Sequence, residues 1–368
     1  MKVAILGAGN IGFASAAWLA STGHTSILWS PHAENLAPLR ARQHRLSFTG
    51  ILQGECTPES ENDIAVAVNH AEVVLLCVPG YGHRTVIDAF VPHIKNDQPI
   101  IINSACSLSA LYLSRRLAER RISSPIITWG TTVLTARRQA NGCEVAIMAA
   151  RKFVHVATLP MQENERAIAL CSTLFGPRFR AQTNVLATSL ININPIAHLG
   201  LALCNVTRIE RHESWPQYHY LTPGVANLIT SLEKERQTLA QHFGLTIHSI
   251  EAHFQQSFDL PENELADIAE ELHRRRGGPA GPTTLDTRFI LEDTPYGLVF
   301  AEAMAKKVGL VLPQHTSVIN VVAAIWGRDF RRDNTILPML ELEKMSLLDL
   351  QHCLYAGYHA NDMKATTP

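Results

Sequence analysis

The sequence predicts an α/β N-terminal Rossmann domain, doubly wound around a mostly parallel sheet, followed by an all-α C-terminal domain. Three observations predict it. An apolar strand signature at Lys2–Leu6 runs straight into Gly7-Ala8-Gly9-Asn10-Ile11-Gly12 and then into a helical period. Short buried-strand signatures alternate with helical stretches through the first half. Beyond Thr183 the strand signals fade, and helical runs opened by proline and closed by glycine take over.

Length and composition bound the answer. At roughly 150 residues per domain, 368 residues suggest two domains, expected at 1–184 and 185–368. Apolar residues make up 46% and charged residues 18%, enough for a full core and too apolar for extended disorder. Thirty-two basic and thirty-three acidic residues give a net charge of -1, so no global electrostatic footprint for nucleic acid or an anionic membrane exists. The seven cysteines form no CxxC pair, which argues against a zinc site or a disulfide scaffold and for a reducing compartment. The expectation is a cytoplasmic protein without a transmembrane helix. Lys2, an apolar stretch and Ala14-Ser15-Ala16 imitate a secretory signal, but Gly7, Gly9 and Gly12 have a better explanation.

That explanation is mechanical. Lys2–Leu6 is a nearly continuous apolar run, the signature of a parallel strand covered on both faces. Gly7 permits a tight turn, Gly9 lets a pyrophosphate approach the backbone, and Gly12 lets the helix pack on the strand. Asn10, Ile11 and Gly12 open that helix, whose unpaired N–H groups and positive dipole end suit phosphates. Thr25–Trp29 reads as the second strand, and its tip bears on the choice between cofactors. An acid there would bond a ribose 2′-hydroxyl and repel a 2′-phosphate. Ser30-Pro31-His32 follows instead, with Glu34 further along. Ser30 and His32 are candidate donors to a 2′-phosphate, with Arg40 and Arg42 near in sequence. The reading favours NADP(H) and leaves NAD(H) possible, because no arginine follows the strand directly.

Residues 71–78 carry a second buried-strand signature, ended by Pro79-Gly80-Tyr81-Gly82-His83. Ligands in doubly wound sheets lie beyond the carboxyl ends of strands, which makes Val78 and Pro79 candidates to border a nicotinamide. A plain proline–glycine turn is the alternative. Residues 98–103, 125–129, 144–149 and 153–158 read as further strands. In the second half, helices are expected from Thr222-Pro223 to Phe243-Gly244, from Thr294-Pro295 to Val308-Gly309, and over 315–326. Arg274-Arg275-Arg276 reads as a solvated helix end.

Two segments of the helical half hold the candidate chemistry. In Asn192-Ile193-Asn194-Pro195-Ile196-Ala197-His198, Asn194 suits a helix cap and His198 lies in the first turn of an apolar helix. Taken alone, such a histidine is more often a core residue than a catalyst. In Glu292-Asp293-Thr294-Pro295, the bland role of Asp293 is to favour a positive helix end.

GAGNIG at 7–12, VPGYGH at 78–83, NINPIAHLG at 192–200, GVANLITSLEKERQTLAQHFGL at 224–245 and RFILEDTPYGLVFAEAMAKKVGLVLP at 288–313 occur in that order. Together they resemble the octopine/nopaline (opine) dehydrogenase family across nearly the whole chain. The resemblance implies a Rossmann domain, a helical substrate domain and an NAD(P)H-dependent reductive condensation. An amino acid's α-amine joins the carbonyl of a 2-oxo acid, pyruvate or 2-oxoglutarate, and hydride reduces the resulting imine. His198 matches the family's catalytic histidine and Asp293 its aspartate partner. Histidine titrates near neutrality, and a carboxylate on its other nitrogen holds the tautomer. His198 is therefore the expected general acid/base and Asp293 its orienter. Asn194 is a candidate for aligning substrate, and Arg138 and Arg288 for gripping substrate carboxylates, because bidentate arginine suits them. The family commonly has Pro-Tyr where this chain has Leu134-Thr135, so family substrates do not carry over.

The partners expected are small molecules only, for a metal-free monomer or homodimer. Two rival readings are a simple 2-oxo-acid reductase of the ketopantoate-reductase type and a non-catalytic NADP(H)-binding or sensing protein. The first would use a lysine as proton donor, with Lys306 and Lys307 the nearest. The second would leave His198 and Asp293 apart.

Overall fold

The computed structural model describes residues 1–359. It divides into two compact units, one formed by residues up to Ser189 together with residues 348–359, the other by Leu190–Leu347. The expected boundary at 184 thus moves to Ser189. The last stretch of the expected helical domain belongs to the first unit instead. There Tyr358 donates its backbone N–H to Ser114 Oγ at 2.8 Å, and a side chain at Gly357 would strike that hydroxyl. Short-range sequence signals carry no information about such a return.

The first unit is built on an eight-stranded sheet. Its strands are β1 (Lys2–Leu6), β2 (Thr25–Trp29), β5 (Glu59–Glu61), β6 (Val73–Leu76), β7 (Ile100–Asn103), β8 (Ile126–Trp129), β11 (Val154–Leu159) and β12 (Phe179–Ala181), in the order β12-β11-β8-β7-β6-β1-β2-β5. All neighbouring pairs are parallel except β11 with β8. The inner strands are fully buried, as continuous apolar runs between two helical layers must be. β1 and β2 have the bounds the sequence predicts; β6 is shorter than 71–78 at both ends, because pairing stops where the loops begin. From β1 the chain goes one way to β2 and the other way to β6, so the switch point lies between β1 and β6.

A second, four-stranded sheet joins β3 (Leu46–Gly50), β4 (Gly54–Cys56), β9 (Leu134–Arg138) and β10 (Glu144–Ala150) in the order β4-β3-β10-β9. Residues 144–149 are a strand, as expected, but they belong here. Their alternation of buried and less buried positions reflects a sheet covered on one face, not two. The helix Asn10–Ser21 packs against both sheets and is apolar almost all round, with Phe13, Ala14, Ala16, Ala17 and Leu19 buried. Burial pushes the thiols of Cys77 and Cys171 up to about 12, and all seven cysteines are free.

The second unit is helical; its one backbone bridge outside helices, among the described residues, pairs Pro216 with Ala280. The long helix Pro223–His242 starts after Thr222 and ends before Phe243, as predicted. The helix Asn194–Cys204 packs on it so closely that a side chain at Gly200 would sit 2.6 Å from Ile229. Arg236 and Glu233 form a buried ion pair whose remaining donors reach the carbonyls of Leu190 and His248, so neither charge is left unsatisfied. The residues 185–204 are long and apolar enough by composition to cross a membrane, but 61% of that window is buried inside the protein and two short helices divide it.

Candidate active site

The dinucleotide edge lies at the carboxyl ends of β1 and β6. Gly7 adopts φ +133°, and a Cβ there would lie 2.6 Å from the Cys77 carbonyl oxygen. A Cβ at Gly12 would fall 1.8 Å from the Gly7 oxygen, so only glycine lets the helix start this close to the strand. Gly9 has nothing within 4 Å of such a Cβ, which is the open space a pyrophosphate needs. Gly9 precedes the helix Asn10–Ser21, and no side chain caps it, so its first N–H groups, those of Asn10, Ile11 and Gly12, suit an anion. The residues present fit a dinucleotide. Val78 borders Gly7, its Cγ1 3.1 Å from where a Cβ on that glycine would lie, and Pro79 opens the helix Gly80–Phe90 rather than a plain turn.

At the tip of β2, Ser30 Oγ accepts from the His32 backbone N–H at 3.2 Å and from Asn35 Nδ2 at 3.3 Å. Both acceptor positions are used, which leaves the Ser30 hydroxyl hydrogen to donate. His32 is mostly exposed, with Glu34 3.6 Å away. Arg40 donates to Ser60 Oγ and Arg42 to Cys143 Sγ.

In the second unit, His198 Nδ1 and Asp293 Oδ2 lie 2.9 Å apart although the residues are 95 positions apart in the chain. A carboxylate accepts, so Nδ1 carries the hydrogen. Nε2 has no partner among the described residues, and the imidazole is 28% exposed. Phe289 stacks on the imidazole with centroids 3.8 Å apart and parallel planes. Phe289 and Asp293 are four residues apart, as are Asn194 and His198, so each pair sits about one helical turn apart. Burial pushes the Asp293 carboxyl above the usual carboxylate range, and the hydrogen bond and charge of His198 pull it back.

Glycine again makes the approach possible. Residues Thr294–Leu298 form one π-helical turn, and a Cβ at Gly297 would lie 2.3 Å from Pro195 Cβ. The turn is held from behind by Asn334, which donates Nδ2 to the Pro295 carbonyl at 2.8 Å, and by Tyr296, whose hydroxyl meets Thr335 Oγ1 at 2.9 Å. Phe289, Gly297, Tyr296 and Asn334 escape sequence reasoning. The Phe289–Asp293 spacing is the one local signal that points to any of them.

Three expectations change. Asn194 is not the cap: Asn192 Oδ1 accepts from the Asn194 backbone N–H at 3.1 Å, and the Asn194 side-chain amide has no partner among the described residues. Arg138 is not placed for a bidentate grip on a substrate, because its guanidinium donates to the carbonyls of Ala8, Asn35 and Gly142. Arg288 is 65% exposed and paired with Glu292. The lysine of the reductase alternative is also accounted for: Lys307 Nζ donates to the carbonyls of Leu342 and Met345. Among the described residues, no three His, Cys, Asp or Glu side chains are grouped to hold a metal.

Residues 181–326 match the family profile of the α-helical domain of NAD/NADP octopine/nopaline dehydrogenase, and residues 2–106 that of the N-terminus of NAD-dependent glycerol-3-phosphate dehydrogenase. An opine dehydrogenase of Arthrobacter sp. (strain 1C) is 28% identical over 93% of this chain and 96% of its own. The chain is thus similar to opine dehydrogenases over 93% of its length. The chain is an NAD(P)-dependent oxidoreductase acting on CH–NH bonds. The fold agrees: a solved octopine dehydrogenase in complex with NADH and agmatine superposes with a TM-score of 0.79 at 16% identity, covering 98% of this chain and 99% of that one. A yersinopine dehydrogenase with NADP+ bound gives 0.73 at 16% identity, covering 100% and 99%.

Proposed function

We propose that this protein is an opine dehydrogenase that condenses the α-amine of an amino acid with a 2-oxo acid, pyruvate or 2-oxoglutarate, and reduces the product to an N-(carboxyalkyl) amino acid. The observation that carries the residue roles is the 2.9 Å contact between His198 Nδ1 and Asp293, with Nε2 left unpartnered. Nε2 of His198 takes a proton from the attacking amine and returns it to the carbonyl oxygen, giving the carbinolamine; a second such transfer from nitrogen to oxygen releases water and leaves the imine. Asp293 holds Nδ1–H, keeping Nε2 the exchanging atom. The Asn194 amide, one turn before His198, orients substrate.

Gly7, Gly9, Asn10, Ile11, Gly12, Val78 and Pro79 hold the dinucleotide, which supplies the hydride when bound. Ser30 and His32 at the β2 tip favour NADP(H), because no acid follows the strand directly and the nearest, Glu34, faces His32, and NAD(H) is accepted less well. The test is NADPH oxidation with each oxo acid, alone and with each common amino acid. Turnover that needs both substrates and falls sharply in His198→Ala supports the reading. Full turnover with an oxo acid alone refutes the condensation, and an unimpaired His198→Ala refutes the histidine's role.

A further inference from the structure

Arg138 has an unusual set of partners. It sits on β9 of the small sheet, yet its polar contacts converge on the dinucleotide loop and its neighbours. Its backbone N–H donates to Asn10 Oδ1 at 2.9 Å. Nη1 donates to the Ala8 carbonyl at 3.1 Å, inside the glycine loop. Nη2 donates to the Asn35 carbonyl at 2.7 Å, in the segment after β2, and Nε and Nη2 share the Gly142 carbonyl. The guanidinium carbon lies 4.6 Å over the Phe13 ring, on the helix that the glycine loop opens. Asn35 in turn bonds Ser30. One side chain therefore ties the loop that meets a pyrophosphate to the tip that meets a ribose.

The electrostatics are as telling as the geometry. Arg138 has no carboxylate partner among the described residues, and every bond its guanidinium makes is to a backbone carbonyl. It stands beside a helix start with no side-chain cap. Two positive features at one edge, without a counter-charge, are costly to keep partly out of water. Burial accordingly lowers the guanidinium's affinity for its proton. An anionic ligand at Gly9 would supply the missing charge. Four of the five guanidinium N–H groups are engaged, leaving one on Nη1.

We propose that Arg138 is the positioning residue of the dinucleotide site, clamping the glycine loop to the β2 tip and balancing its charge against the cofactor's phosphates. The proposal rests on the dinucleotide part of the functional reading and not on the condensation chemistry. Gly142 belongs to the same device: it has φ +74°, and a Cβ there would lie 2.9 Å from Arg138 Nη2.

The experiment measures the Kd of NADPH and of NADH by nicotinamide fluorescence on ligand-free protein, for wild type, Arg138→Met and Arg138→Lys. Unfolding midpoints with and without NADPH accompany it. Arg138→Met should weaken both cofactors about tenfold or more, whereas its midpoint without cofactor falls little. Arg138→Lys keeps a charge but not the planar fork, and should recover only part of that loss. In turnover, the KM for NADPH should rise more than kcat falls. A Kd for Arg138→Met within about twofold of wild type overturns the proposal. Full recovery in Arg138→Lys overturns the clamp. If Arg138→Met does not fold, Arg138→Lys decides alone, a wild-type Kd again counting against it. Because binding is read without amino acid or oxo acid, failure of the condensation reading leaves this result unaffected.

Discussion

The helical unit contains two imidazole–carboxylate pairs, and they differ in everything except the bond. His198 meets Asp293 at 2.9 Å, and His315 meets Glu235 at 2.7 Å. His198 is 28% exposed at its side chain, whereas His315 is 1% exposed. Glu235 also accepts the backbone N–H groups of Gln314 and His315, at 2.7 and 2.9 Å, at the start of the helix Pro313–Trp326. It thus caps a helix from a neighbouring one, and these bonds hold its carboxyl below the usual range despite desolvation. Asp293 moves the other way: burial dominates and pushes its carboxyl up. A short His–carboxylate contact is therefore not a signature of catalysis. What separates the two is exposure: the His198 ring opens to solvent, whereas the His315 ring is sealed.

The largest effect that sharpens this contrast is His198→Ala. Loss of a general acid/base should lower kcat/KM about 10²- to 10⁴-fold, with an unfolding midpoint near wild type, as steady-state kinetics and thermal melts would read. Asp293→Asn should come next, at about tenfold to a hundredfold, each tenfold being ~1.4 kcal/mol of barrier. The asparagine cannot enforce the Nδ1–H tautomer, so the acid limb of the kcat/KM profile should change shape; an identical profile would deny Asp293 its orienting role. His315→Ala should reverse the pattern. It strips the Glu235 carboxylate of one partner in a buried place, a cost of about 1–3 kcal/mol in denaturant melts, with kcat little changed while folded. A turnover loss rivalling that of His198→Ala would break the comparison.

The smallest effect concerns acid stability. The Glu235 pKa is lower in the folded chain than in the unfolded one. Its contribution is therefore complete above the ordinary Glu value of 4.5 and is lost as pH falls through the lower folded value. Glu302, held down by Arg331 and Thr316, acts with the same sign. Glu235→Gln should flatten the fall in unfolding free energy between about pH 5 and 3. An unchanged slope would show that the cap carries no charge-dependent stability.

Legibility follows the range of the interaction. The glycine loop is readable because six consecutive residues make it, and each glycine meets the obstacle its role predicts: Cys77 for Gly7, open space for Gly9, Gly7 for Gly12. The small sheet is mostly hidden from sequence because β3, β4 and β9 are short and partly exposed, and their pairing depends on partners up to about a hundred residues away, as with β3 and β10. Charge alone assigns Arg138 to substrate. Its three backbone acceptors come from separate segments that no local pattern connects. Asn194 is the first residue of its helix and does not cap it; the Asn192 side chain accepts the Asn194 N–H from before the helix, a choice only coordinates decide.

By itself, then, the sequence determined the glycine-cradled strand–helix unit, the helical character of the second half and, through its ordered motifs, a resemblance that points to His198 and Asp293. Apolar periodicity and glycine spacing are local, and short-range sterics suffice to express them. Tertiary structure alone decided that the imidazole and carboxylate meet while a second such pair is sealed into a helix cap. It also decided that Arg138 bonds the Ala8 carbonyl in the glycine loop and that residues 348–359 rejoin the first unit. Those outcomes depend on which side chain fills which neighbour's space, and packing across ninety-five residues leaves no periodic trace in the chain.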